Sequence, residues 1–367
     1  MGAHMIAGFF TPWIVYAIAT FMHVALPALR REGYARHEET GKLLEYKLNG
    51  HLVLPGSIFL WLVLGYIQLV PWTWLYEARW YSLAGAVTFG LLFTIAIVLP
   101  QRADKKNIFA DLWFGRLKNP RCQKGNLLID AKVWLYLCGA IMLQLNVLSA
   151  MMYHWEMFFD PYDTNVINPG FLIGVAMLTF FIWDYLNFEK VHLYTYGFTA
   201  ERVGFKLGFG CLAFYPFFYA IALWSTAHLP NPGRPNVLNA LFVLVFLFGW
   251  VLARGANLQK YYFKVSPRKK FLGIRPETLT DGKLSLLANG WWGKSRHISY
   301  LGEILMACAI ALAAGPNVLS VWLYPLYCIV FLFARQANDD KICKAKYGEL
   351  WDRYTTKVKY RIIPRIW

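Results

Sequence analysis

An all-α polytopic membrane protein is the fold class this sequence predicts, on three observations. Of its 367 residues, 57% are hydrophobic and 16% charged, against about 25% charged in an average soluble domain. The apolar residues gather into runs near bilayer length, without the strand alternation of a membrane barrel. The cations behind a net charge of +16 gather in alternate loops between those runs, as the positive-inside bias requires.

The first four residues, MGAH, read as a cloning scar, which leaves 5–367 as a single integral membrane domain. Nine spans follow: Ala7–Leu29, Leu52–Val70, Ser82–Leu99, Leu128–Met151, Gly170–Leu186, Gly204–Ala227, Val237–Ala253, Tyr300–Ala314 and Val318–Ala334. The first ends in LPALRREG, not in a small-residue cleavage site, so it is not a removable signal. Pro216 inside the sixth predicts a kink whose freed carbonyl needs another partner. The last two are joined by Gly315–Asn317 and read as a tight helical hairpin.

Loop charges test this count. Arg30–Gly50 holds five Lys/Arg, Gln101–Asn126 seven, Arg254–Ser299 ten, and the tail after Ala334 nine. The intervening loops Pro71–Tyr81, Met152–Pro169 and His228–Asn236 hold one, none and one. Nine crossings with the N-terminus outside and the C-terminus cytoplasmic satisfy every loop. A tenth, re-entrant or split segment fits within Glu189–Val203, giving about nine to ten transmembrane helices. Such a cation pattern belongs to topology. No basic helix or recognised module points to nucleic acid. The six cysteines form no CxxC pair and several sit in apolar runs, so neither a disulfide framework nor a metal site is expected.

Five stretches carry chemistry. In WDYLNFEKVHLYTYGFTAER (Trp183–Arg202), Asp184 and Glu189 are acids at the end of an apolar span. Ionisable groups at membrane depth are costly and point to function, whereas at the interface they are merely solvated or capping acids. In the glycine-rich, aromatic Gly204–Tyr219, Tyr219 offers a phenolic proton inside a dry pocket, or simply packs as one more helix aromatic. In RGANLQKYYFK (Arg254–Lys264), Arg254, Asn257 and Lys260 recur at helical spacing, with Gln259 and Lys264 beside them. A cation row at a helix C-terminus also complements the dipole. In NGWWGKSRHISYLGE (Asn289–Glu303), Trp291, Trp292, Arg296, His297 and Tyr300 combine aromatic planes with donors, a set that suits a nucleotide. His297 alone would read as structural. The tail Asn338–Trp367 alternates acids, cations and aromatics and has no lipid-length run; as an interfacial amphipathic helix it would bind headgroups. Neither GxGxxG after a strand nor a P-loop is present.

These stretches resemble the sterol C–C double-bond reductases: the Δ14-, Δ7- and Δ24(28)-sterol reductases, together with the membrane domain of the lamin B receptor. GWWGKSRHISYLGE is similar to that family's GxWGxxRHxNYxG segment, and RGANLQKYYFK to its RxANxQK segment. The tail KAKYGELWDRYTTKVKYRIIPRIW matches the family's C-terminal signature. FGRLKNPR (Phe114–Arg121) resembles its GRELNPR loop, and Gly204–Tyr219 its GFMLxxGD…PFxY segment.

The resemblance implies a membrane oxidoreductase whose residues 254–367 form a cytoplasmic C-terminal cofactor-binding region for NADPH. A sterol or related polycyclic lipid would enter from the bilayer. Carried over by motif position, the cofactor contacts are Lys260, Lys264, Leu287, Trp292, Ser299, Tyr300, Asp339, Cys343, Tyr347 and Tyr354, with Arg296 and His297 nearby. Tyr219 is the implied catalytic acid, with Glu189 and Asp184 as acidic neighbours and Δ14 reduction slightly favoured. The host membrane would be endoplasmic reticulum in a eukaryote and the inner membrane in a bacterium. The chain departs from the family pattern where Ser299 replaces an amide, where Asn338 and Ile342 replace arginines, and where Cys211 replaces an acid. An isoprenylcysteine-type methyltransferase using S-adenosylmethionine shares part of the C-terminal pattern, but its proline and paired glutamates are missing here. A non-catalytic sterol-binding protein is the other reading.

Overall fold

The computed structural model describes residues 2–37, 40–103, 107–163 and 166–367. The chain is mostly helical and divides into two compact units, Met1–Asn231 and Pro232–Trp367.

The first unit opens with helix α1 (Gly2–Ala25), the hairpin β1 (Leu29–Arg36) and β2 (Leu43–Leu48), and α2 (Gly50–Tyr66). A single turn, α3 (Trp74–Glu77), leads to α4 (Arg79–Val98) and α5 (Ile108–Phe114). A second hairpin, β3 (Arg121–Lys124) and β4 (Leu127–Asp130), precedes α6 (Ala131–Phe158) and α7 (Pro169–Asn187). Two single turns follow, α8 (Glu189–His192) and α9 (Tyr196–Thr199). The sixth expected span is a broken helix: α10 (Phe205–Phe209), a π-type turn over Gly210–Phe214, α11 (Tyr215–Phe218) and α12 (Ile221–Thr226).

Helix α6 is the axis of this unit, with 83% of its apolar window buried. Its start is fixed by Asp130, whose carboxylate accepts from the N–H groups of Lys132 and Val133. Asn168 caps α7 in the same way, and Pro169 sits in its first turn. Gly139 allows α6 to meet the broken helix backbone to backbone, because a Cβ there would lie 2.2 Å from the Cys211 carbonyl oxygen.

The kink at Pro216 is found as expected, together with its missing partner. Pro216 has no N–H for the Leu212 carbonyl one turn back, and the Tyr16 hydroxyl of α1 donates to that oxygen instead. The Pro216 carbonyl in turn accepts from Asn146 Nδ2 of α6 at 2.9 Å.

The second unit contains α13 (Asn236–Val265), the hairpin β5 (Thr278–Thr280) and β6 (Ser285–Leu287), α14 (Ile298–Ala314), α15 (Leu323–Tyr347) and α16 (Glu349–Lys357). Helices α13 and α14 touch through small residues: a Cβ on Gly302 would lie 2.4 Å from the Gly249 carbonyl oxygen and 2.9 Å from Ala253 Cβ.

A helix, whole or broken, occupies each of the nine expected spans. Seven are long and apolar enough to cross a membrane: Gly2–Ala25, Arg79–Val98, Ala131–Phe158, Pro169–Asn187, Phe205–Thr226, Asn236–Val265 and Leu319–Tyr347. The other two, α2 and α14, are apolar but only 17 residues each. Helix α15, in the ninth expected span, runs past the expected Ala334 to Tyr347, adding three turns of polar sequence. Glu189–Val203 holds two four-residue turns. The expectation of an all-helical chain missed three short hairpins, all in cation-rich loops. Their strands run three to eight residues, too short for alternation to stand out beside the charges. In β2 the alternation is nonetheless real: Leu44, Tyr46 and Leu48 face inward.

Candidate functional site

In the second unit, two motifs far apart in sequence lock onto each other. Gly255 of α13 leaves room for the Trp291 indole, which would be 2.4 Å from a Cβ there. Trp291 Nε1 donates to the Val251 carbonyl (3.1 Å) and Trp292 Nε1 to the Ala256 carbonyl (2.9 Å). Gln259 accepts from the Trp291 N–H at 3.0 Å and donates to the Asn289 carbonyl at 3.3 Å. In RGANLQK the glycine, alanine and glutamine are thus used to seat WW, and Lys260 is placed 5.4 Å from the Trp292 ring centroid.

The tail closes the other side. The Arg296 and His297 N–H groups donate to the Tyr360 and Arg361 carbonyls (3.0 and 2.8 Å), and Ser295 Oγ donates to the Ile362 carbonyl. Tyr354 donates to the Trp292 carbonyl at 3.1 Å. It also packs with Ala288, Trp351 and Val358, against which Cys343 and Tyr347 lie. Burial pushes the Tyr354 phenol above its ordinary pKa, with Arg296 opposing, so it stays a neutral donor.

Between these walls lies a polar cluster. Tyr300 donates to Asp339 Oδ2 at 2.5 Å, and the His297 ring stacks on Tyr300 with centroids 5.0 Å apart. Asp340 is its hub: Gln336 donates to it at 2.7 Å, and Arg296, His297 and Arg361 stand 3.7, 3.6 and 3.7 Å away. Burial lowers the Arg296 pKa and Asp340 opposes that effect. Three buried polar atoms here, Arg296 Nε, His297 Nε2 and Asp340 Oδ1, have no hydrogen-bond partner among the described residues. Buried polar groups are ordinarily satisfied; His297 Nε2 and Asp340 Oδ1 face each other at 3.6 Å, which leaves Arg296 Nε as the donor open to a polar ligand. Of the expected cofactor contacts, Lys260, Trp292, Arg296, His297, Tyr300, Asp339, Cys343, Tyr347 and Tyr354 belong to this connected set. Leu287 ends β6 as a buried residue beside Ala288, Ser299 is half-buried on the first turn of α14, and Lys264 is half-buried on the last turn of α13.

The acids and the phenol expected upstream lie in the first unit. Glu189 is 3% exposed, and both its oxygens are engaged. Tyr136 donates to Oε1 at 2.6 Å and the Gly50 N–H to Oε2 at 2.9 Å. Burial raises its pKa to about 7, with the two hydrogen bonds opposing. Glu189 is therefore a clasp between α6 and the start of α2. Asp184 is buried on α7, one turn beyond Phe181. The Tyr219 ring is 6.5 Å from Phe181 and 4.8 Å, edge-on, from Tyr215, which places it at the break in the sixth helix.

A family model for the Ergosterol biosynthesis ERG4/ERG24 family matches residues 5–367. The chain belongs to this family. Similar proteins include the Delta(14)-sterol reductase of Arabidopsis thaliana, 29% identical over 345 residues, covering 89% of this chain and 88% of that protein. The Delta(14)-sterol reductase erg24 of Schizosaccharomyces pombe is 34% identical over 262 residues, with 71% of this chain and 59% of that protein covered. A Delta(14)-sterol reductase of Mus musculus is 32% identical over 284 residues, with coverages of 76% and 65%. The aligned part thus spans most of the plant protein and less than two thirds of the other two. The family match does not favour the methyltransferase reading.

Sequence reasoning missed two members of these clusters as site residues. Asp340 was overshadowed by its neighbour Asp339, although Asp340 gathers more of the charged partners. Tyr136 lies in an apolar run and is marked only by its distant partner Glu189.

Proposed function

We propose that this chain reduces a carbon–carbon double bond of a sterol, Δ14 favoured, using NADPH. The observation that carries the reading is the family match over residues 5–367, with Delta(14)-sterol reductases among the similar proteins. The polar cluster of the second unit supports the cofactor: it holds cations, aromatic planes and the open Arg296 Nε donor together. Lys260, Lys264, Arg296 and His297 would meet the phosphates, and Trp292, Leu287, Cys343, Tyr347 and Tyr354 the ring systems. Ser299, Tyr300 and Asp339 would hold the polar edges. The cofactor supplies a hydride when bound.

Tyr219 is the proposed proton donor. An isolated alkene needs a proton on one carbon and a hydride on the other, so an acid must stand at the substrate. The phenol sits at a helix break among the aromatic rings of Phe181 and Tyr215, and the bilayer around it would keep water from the reacting carbons. Asp184, one turn beyond Phe181 on α7, would be its acidic neighbour, and Glu189 acts as a clasp that orients Tyr136 and α2.

The substrate, a sterol or related polycyclic lipid, would enter from the bilayer. About nine crossings, with the N-terminus outside and the C-terminus in the cytoplasm, would form one reductase domain over 5–367. Residues 254–367 are its cofactor part. The endoplasmic reticulum or a bacterial inner membrane would be the host. The test is incubation with NADPH and a panel of Δ14, Δ7 and Δ24 sterols, followed by mass spectrometry. A product two mass units heavier from the Δ14 member is expected; no loss of a double bond from any member, with no NADPH binding, overturns the reading.

A further inference from the structure

The loop after α13 holds a feature that neither proposed pocket uses. Phe271 and Ile274 exchange backbone hydrogen bonds at 3.0 and 2.9 Å, closing a two-residue turn on Leu272 and Gly273. Both central residues have positive φ, 48° and 79°. That conformation is routine for glycine and asparagine but not for a branched aliphatic side chain. Leu272 occupies it nonetheless, at 74% exposure.

Its surroundings are strongly basic. Ser266–Arg275 contains Arg268, Lys269, Lys270 and Arg275 and no acid, and all four cations are exposed. The segment also folds back along the helix it follows. The Phe271 ring stacks on Tyr262 at 5.5 Å, one turn before the end of α13, and lies 5.8 Å from Trp291. Trp291 reaches Val251, an exposed apolar residue of the same helix. Trp291 and Phe271 therefore connect the backbone of α13 at Val251 to the residue that precedes Leu272 at the tip of the turn. Asn289 anchors the other end by donating to the Arg275 carbonyl (2.7 Å) and accepting from the Glu277 N–H (3.1 Å).

We propose that this turn is a membrane finger: Leu272 enters the interfacial layer of the bilayer while Arg268, Lys269, Lys270 and Arg275 bind anionic phospholipid headgroups. Apolar tips ringed by cations partition in this way, and basic clusters beside a transmembrane helix are drawn to anionic leaflets. Charge complementarity and continuity with α13 select the lipid surface as the occupant. The finger would brace the base of the Trp291–Gln259 lock.

The experiment uses the full chain in nanodiscs, with Cys122→Ser as background and a nitroxide on Leu272→Cys. The comparison site is Lys283→Cys, at the exposed turn of the β5–β6 hairpin. With anionic lipid present, the label at 272 should collide more with oxygen than with a water-soluble nickel complex, and the order should reverse at 283. Replacing Arg268, Lys269 and Lys270 together by Glu should shift the 272 label toward the nickel reagent. Nickel-dominated collisions at 272 in every lipid mixture would place the tip in water and overturn the proposal. Shielding from both reagents would mean that protein covers it, and overturns the proposal equally.

Discussion

Glu189 shows how a single residue changes meaning once its partners are known. From sequence it is an acid near the end of an apolar span. In the structure its two oxygens are taken by Tyr136 and by the first N–H of α2. Desolvation raises its pKa from 4.5 to about 7, so the folded state favours the protonated form. The sign follows: its contribution to stability is full below pH 4.5 and is lost as pH rises through about 7, a swing on the order of 3 kcal/mol. The unfolding temperature in detergent should therefore fall between pH 5 and pH 8, and Glu189→Gln should flatten that slope. An unchanged slope in the variant would show that another group titrates. Tyr219 gives the complementary prediction. Tyr219→Phe should lower turnover by about 10²–10⁴, the usual contribution of a general acid, while leaving NADPH binding as it was. Turnover that survives would move the proton source elsewhere.

At the scale of elements, what could be read ahead of the structure was what is local. Pro216 announces a break from its own chemistry. The residue that repairs the break, Tyr16, lies 196 positions earlier, and no local pattern connects the two. The same limit hid the lock between Gln259 and Trp291: both motifs stood out by composition, but their mutual hydrogen bonds depend on α13 and α14 packing through Gly249 and Gly302. Tyr16→Phe leaves the Leu212 carbonyl buried without its donor and should cost about 1–3 kcal/mol. Pro216→Ala restores an N–H one turn ahead of that carbonyl. In that background the loss from Tyr16→Phe should shrink, and the coupling is read from a double-mutant cycle of thermal unfolding. Equal losses in both backgrounds would show that the proline and the tyrosine act independently.

For the whole molecule, the two units divide the proposed chemistry. The upstream acids and Tyr219 belong to Met1–Asn231, and the polar cluster belongs to Pro232–Trp367. Composition and loop charge made the helical, membrane-spanning character legible, because a bilayer imposes length and apolarity on every span. They did not reveal the division, which depends on packing between distant helices. Within the second unit the last residues are a wall of the candidate pocket: Tyr360, Arg361 and Ile362 hold Ser295, Arg296 and His297 by backbone-directed bonds. Ending the chain at Lys357 should remove that wall and expose the Arg296 and His297 N–H groups. If the cluster is the NADPH site, the full chain at about 100 times Kd should gain roughly 2.7 kcal/mol of stability from the cofactor, and the shortened chain none. Hydrogen exchange separates this from general unfolding. Protection across α6 should stay as in the full chain, while protection at 295–300 should fall. NADPH stabilisation that persists in the shortened chain would place the cofactor away from the cluster. Loss of protection in α6 would make the tail a determinant of the whole fold and not of the pocket alone.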